Sequence, residues 1–163
     1  MAWYEAQIVG VAIGGLLGIG TNVFITHYNN EKLKKSLLAG IRSEVVFLKK
    51  ISDRSIKEFT DYKNEIEESG KIQNLYSYTG DFEFHFLDRN FDKIGVLDEK
   101  ILTPLLALKQ TTIALNSGLK TTIMTSRVPQ DNKGLVPIHL SQIKQAIATF
   151  DQIKNYCNVI LKN

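Results

Sequence analysis

Polar and apolar positions divide the chain into two regimes. Over residues 8–25 the sequence reads IVGVAIGGLLGIGTNVFI, apolar or small almost throughout and without an ionisable group. From Leu33 onward, apolar residues instead recur every three or four positions between charged ones. The first pattern predicts a membrane-spanning helix. The nineteen residues 8–26 rise roughly 28 Å as a helix, close to the ~30 Å thickness of the hydrocarbon core. Trp3 and Tyr4 precede the run and His27 and Tyr28 follow it, as interfacial anchoring favours. A cleaved signal peptide would carry a positive leading region, and none is present. The expected division is an extracytoplasmic tail over 1–7, a transmembrane helix over 8–27 and a cytosolic helical domain over 28–163.

The second pattern predicts long amphipathic helices. Leu33, Leu37, Ile41, Val45, Leu48, Phe59, Tyr62 and Ile66 keep helical spacing, with a slack patch at residues 52–55. Leu38, Val46 and Ile56 widen the stripe. This helix, about 35–38 residues long, starts at Asn29 or Asn30 as caps or continues directly from the membrane helix. Gly70 is its expected stop. Asp98 is placed to cap a second helix through Ile101, Leu105, Leu108, Thr112, Leu115, Leu119 and Ile123. Thr103-Pro104 offers an alternative start. Residues 126–137 carry the Pro, Asn, Asp and Gly of a loop. A last helix then follows Ile143, Ile147, Phe150, Ile153, Cys157 and Ile160. Between the first two helices, Phe82, Phe84 and Phe86 alternate. They predict either a short strand or a helical turn packed on the bundle. A further turn over residues 88–93 stops at Gly95. The predicted fold is all-α: one N-terminal transmembrane helix followed by an elongated three-helix cytosolic bundle.

Charge adds orientation. The net charge of +3 is mild, and no nucleic-acid duplex binding is expected from it. All Lys and Arg residues lie beyond Glu31. Lys32, Lys34, Lys35, Arg42, Lys49 and Lys50 crowd the C-terminal flank of the apolar run. The positive-inside rule then places the N-terminus outside and the bundle in the cytoplasm, at the inner (plasma) membrane. Within the run, Gly10, Gly14 and Gly18 repeat every four residues, and Asn22 continues the spacing. Small residues on one face let two helix backbones approach, so self-association is expected there.

Candidate chemistry is sparse. The chain has no phosphate loop, nucleophile elbow, zinc-protease helix or paired-cysteine motif. No catalytic residue, metal or cofactor is therefore expected. His85 with Asp81, Glu83, Asp88 or Asp92 reads as solvated acids around an aromatic turn. Cys157 lies on an apolar stripe and reads as a core thiol. Arg42, Lys49, Lys50 and Arg54 on the first helix, with Arg89, Lys93, Arg127 and Lys133 in or near the loops, are candidates for an anionic ligand or lipid headgroups.

Residues 90–115, NFDKIGVLDEKILTPLLALKQTTIAL, resemble a segment of small bacterial single-pass membrane proteins. There an Asn or aromatic lead precedes Ile-Gly-x-Leu and an apolar helix; here these are Asn90, Ile94, Gly95 and Leu97. The resemblance implies an anchor and a helical cytosolic domain, and no activity. The family's following helix often carries Tyr where this chain has Thr111 and Thr112. The layout is also similar to that of membrane effectors of antiviral defence, including those gated by cyclic oligonucleotides. The expected function is a membrane-anchored, self-associating protein that works by binding a protein partner rather than by catalysis. A membrane effector gated by an anionic ligand or cyclic nucleotide is the first alternative, and a membrane-tethered enzyme the second.

Overall fold

A computed structural model describes residues 2–72, 82–125 and 133–163, with side chains described over 21–72, 82–118 and 134–163. Every described element is helical: α1 (Ala2–Ser69), α2 (His85–Arg89), a 3-10 turn (Phe91–Val96), α3 (Glu99–Thr125), a short 3-10 turn (Lys133–Leu135) and α4 (Val136–Lys162). The chain divides into two compact units, Met1–Ala39 and Gly40–Asn163.

The described residues of the first unit, 2–39, all lie in α1. Asn29 and Asn30 neither start nor interrupt that helix. Among the described residues no helix is long and apolar enough to cross a membrane. Most of the expected span over 8–26 falls on residues whose side chains lie outside the described set.

The second unit is a helical bundle. Along α1 the buried side is Ile41, Val45, Leu48, Phe59, Tyr62 and Ile66, as the apolar spacing predicts. Within the slack patch Ser52 and Ser55 are also buried, whereas Asp53 and Arg54 are exposed. Ser52 Oγ donates to the Leu48 carbonyl one turn back, at 2.9 Å. A hydroxyl satisfied by its own helix can lie in a core without a penalty for a lost hydrogen bond. Val46, by contrast, does not widen the buried stripe but faces outward. Gly70 ends α1 as expected, with φ at +63° and its N–H donating to the Ile66 carbonyl at 2.9 Å.

Helix α4 runs antiparallel to this part of α1. Asp53 pairs with Lys154 at 2.7 Å, Phe59 meets Phe150 at 5.7 Å, and Glu67 lies 3.6 Å from Lys144. Ile143, Ala146, Phe150, Ile153, Cys157 and Ile160 form its buried face. Helix α3 packs on α4 and buries Ile101, Leu105, Leu108, Thr112 and Leu115. It starts after Asp98, whose carbonyl accepts from Ile101 and Leu102, both at 2.9 Å. The alternative start at Thr103-Pro104 is not used, and Pro104 lies inside the helix. Pro137 is not in a loop either. It occupies the first turn of α4, where its missing N–H has no partner to lose. Residues 126–132, the rest of that expected loop, lie outside the described residues.

The strand reading of the alternating phenylalanines is wrong. Residues 82–84 are irregular and α2 begins at His85. Phe82 and Phe84 are buried, whereas Phe86 is half-buried. A side chain takes the place that a second strand would fill. Asn116 Oδ1 accepts from the Phe82 N–H at 3.1 Å, and its Nδ2 donates to the Phe82 carbonyl at 3.0 Å.

Helix α2 has only five residues, too few to hold itself together. Its N-cap position is Phe84, which cannot cap. Glu44 of α1 supplies the cap from outside. Its carboxylate accepts the Phe86 N–H through Oε1 and the Leu87 N–H through Oε2, the latter at 3.0 Å. These are the second and third N–H groups of the helix, the pair that an N-cap side chain normally serves. On the same face of α1, the far edge of the Phe86 ring rests on Gly40, where a Cβ would collide with it.

That contact yields a prediction with an unusual sign. In an exposed helix, Gly→Ala stabilises by about 1 kcal/mol. Here Gly40→Ala should destabilise by about 1–3 kcal/mol, because the Phe86 ring must be displaced to admit one methyl group. Urea denaturation of the single and double variants measures it. Phe86→Ala should abolish the penalty of Gly40→Ala in a double-mutant cycle. A stabilised Gly40→Ala single variant would show that the contact is not tight.

Candidate functional site

Three features of the second unit carry polar chemistry. The first is a half-open cleft of about 380 Å³ beside the Glu44 cap, lined by Ser43, Glu44, Phe47, Leu48, Glu83 and His85. His85 Nε2 lies 3.2 Å from Glu83 Oε2, and both side chains are largely exposed. Asp88 does not join them; it pairs with Lys109 of α3 at 2.5 Å. The Lys109 ammonium also sits 4.2 Å from the Phe91 ring centre, so one cation ties α3 to both connector turns. Asp81 lies outside the described residues. Among the described residues no three or more His, Cys, Asp or Glu side chains form a metal-binding group.

The second feature is Cys157. Its side chain is fully buried. Burial pushes the thiol pKa up to about 12, and the positive charge of Lys49 pulls it back only in part. The thiolate, the reactive form, is therefore disfavoured across the physiological range. The third feature is the pair at the α4 entrance. Tyr62 Oη lies 3.2 Å from His139 Nε2, with the rings edge to face. Burial holds the His139 imidazole below its usual value, while a hydrogen bond with Gln142 opposes the shift.

Among the described residues the basic candidates do not converge. Arg42 and Lys50 are exposed on α1, and Lys49 is half-buried toward Cys157. Arg54 is held by Glu58 one turn on, at 2.6 Å. Arg89 closes α2 and Lys93 lies in the 3-10 turn, both exposed. The Arg127 and Lys133 side chains lie outside the described residues. The other candidates belong to the first unit. Gly10, Gly14 and Gly18 are in α1, but what surrounds them lies outside the described residues. Asn22 is exposed and lines a shallow groove with Val23, Thr26, His27 and Asn30.

The residue that sequence reasoning undervalued is Glu44. By position alone, Glu44 is a single acid among Arg42, Lys49 and Lys50. Its role as a cap depends on α2 crossing α1 at that point, and no local signal announces a crossing. No protein-family model matches the chain, and no curated protein or solved structure matches it either.

The thiol prediction follows from burial. In the native protein Cys157 should resist a maleimide or disulfide reagent at pH 8 and react once the chain is unfolded. Because the folded pKa is raised, the neutral thiol's contribution is complete below the ordinary cysteine value and fades as pH climbs toward 12. Cys157→Ala should cost about 1–2 kcal/mol through the cavity it leaves. Rapid labelling of the native chain would contradict the burial.

Proposed function

We propose that the chain is a membrane-anchored, self-associating helical protein that acts through partner binding by its bundle. One observation supports the anchor most. Every residue of α1 from 21 to 32 is exposed. Val23, Phe24, Ile25 and Tyr28 are exposed by 63%, 70%, 49% and 60%, on all sides of the helix. These residues continue the apolar run that begins at Ile8. Large apolar side chains left bare around a whole helix are costly in water, at roughly 25 cal/mol per Å². Lipid removes that cost, and polar Asn22 and Thr26 then favour a neighbouring helix that can hydrogen-bond to them.

The orientation follows from the lysines. Lys32, Lys34 and Lys35 come directly after the run, and no Lys or Arg precedes it. The N-terminus lies outside the inner (plasma) membrane and the bundle in the cytoplasm. Association inside the membrane uses the face of Gly10, Gly14, Gly18 and Asn22. At 100° per residue, Leu16 falls on the opposite side.

Two substitutions test this reading in the full chain. Gly14→Leu keeps the run apolar and helical, so the protein should still insert. It places a branched side chain where two backbones approach, and in-cell crosslinking between copies should fall several-fold. Leu16→Ala should leave crosslinking near the unaltered level. A reporter fused after Asn163 should be active only when it is of the cytoplasmic type. Equal crosslinking of both variants would remove the glycine interface, and an active periplasmic reporter would reverse the topology.

A further inference from the structure

The side of α1 that turns away from the bundle carries a charge pattern that complements itself. Opposite the buried stripe of Val45, Leu48 and Tyr62, helical spacing aligns Lys50, Arg54 and Lys57, then Asp61, Glu65 and Glu68. All six are exposed. The stripe is thus basic over its first half and acidic over its second. Arg54 is engaged by Glu58 of its own helix. Lys50, Lys57, Asp61, Glu65 and Glu68 have no ion-pair partner among the described residues. Lys57 and Asp61 are one turn apart and still make none. Just before the cations, Phe47 and Val46 are exposed by 63% and 40%.

We propose that this face pairs antiparallel with the same face of a second copy. Reversing one helix brings its basic half against the other's acidic half. With the two-fold axis between Lys57 and Glu58, Lys50 lies opposite Glu65 of the second copy and Arg54 opposite its Asp61. Each pair occurs twice, and Phe47 packs toward the region of Glu68. A two-fold interface must be self-complementary, and a stripe that changes sign at its midpoint satisfies this condition. Parallel in-register pairing does the reverse, setting Lys50 against Lys50 and Glu65 against Glu65. The inference uses only residues of the second unit; because α1 is one helix from Ala2 to Ser69, the same two copies cannot also pair in parallel through the glycine face, and the crosslinks below separate the two arrangements.

Exposed ion pairs are individually weak and are screened by salt. The association is therefore weak, salt-sensitive and specific in direction more than in strength. An acidic partner protein is disfavoured as the occupant, because Asp61, Glu65 and Glu68 would repel it along half of the stripe.

Disulfide crosslinking of the full chain in detergent micelles tests the pairing, since micelles do not force copies into a common direction. Lys57→Cys lies near the two-fold axis and should crosslink to itself under mild oxidation. Lys50→Cys lies about 22 Å from its equivalent along the helix and should not. A mixture of Lys50→Cys and Glu65→Cys should form the mixed dimer. Native Cys157 is buried and should contribute no crosslink. High salt should reduce crosslinking several-fold. Lys50→Glu should do the same at low salt, and adding Glu65→Lys to the same chain should restore it. Self-crosslinking of Lys50→Cys as efficient as that of Lys57→Cys would mean parallel pairing. No crosslinking at any of these positions would mean a solvated face. Either result overturns the proposal.

Discussion

Phe150 is the point at which the bundle is tied together. Its ring is fully buried in α4 and lies 5.7 Å from Phe59 of α1 and 5.6 Å from Phe82 at the start of the connector. Three stretches far apart in sequence thus share one aromatic contact. Aromatic rings at these separations bury large areas and gain from tilted packing. Everything near it depends on this meeting. With Phe82 fixed against Phe150, Asn116 can bracket its backbone. With that segment held over α3, α2 crosses α1 where Glu44 can cap it and Gly40 leaves room for Phe86.

Much of this was legible in the sequence because long helices repeat their signal. Val45, Leu48, Phe59, Tyr62 and Ile66 are buried in α1 as their spacing implies, and so are Ile143, Phe150, Ile153, Cys157 and Ile160 in α4. The connector was less legible. Alternating phenylalanines carry the period of a strand, and only a partner could decide between strand and turn. The partner proved to be the single amide of Asn116, more than thirty positions away. Pro104 misled in a similar way. Proline favours a first turn, yet α3 tolerates it further in because packing on α4 outweighs one lost hydrogen bond.

The candidate sites were legible as residue types but not as arrangements. Arg42, Lys49, Lys50, Arg54, Arg89 and Lys93 could be picked out as cations. Their division between an ion pair, a half-buried position and open solvent required the fold. Asp61, Glu65 and Glu68 stand out only once the buried side of α1 is known. The same helix therefore has three kinds of surface. One side is committed to the bundle, the opposite side carries charges of changing sign, and every residue from 21 to 32 is exposed.

That exposed stretch makes the anchor the claim on which the functional account rests. Alkaline carbonate washing of membranes from expressing cells tests it most directly. The comparison is between the full chain and a version that begins at Tyr28 and so keeps the bundle. The account predicts that the full chain stays in the membrane pellet while the shortened one moves to the supernatant as a folded helical protein. Release of the full chain into the supernatant would contradict it.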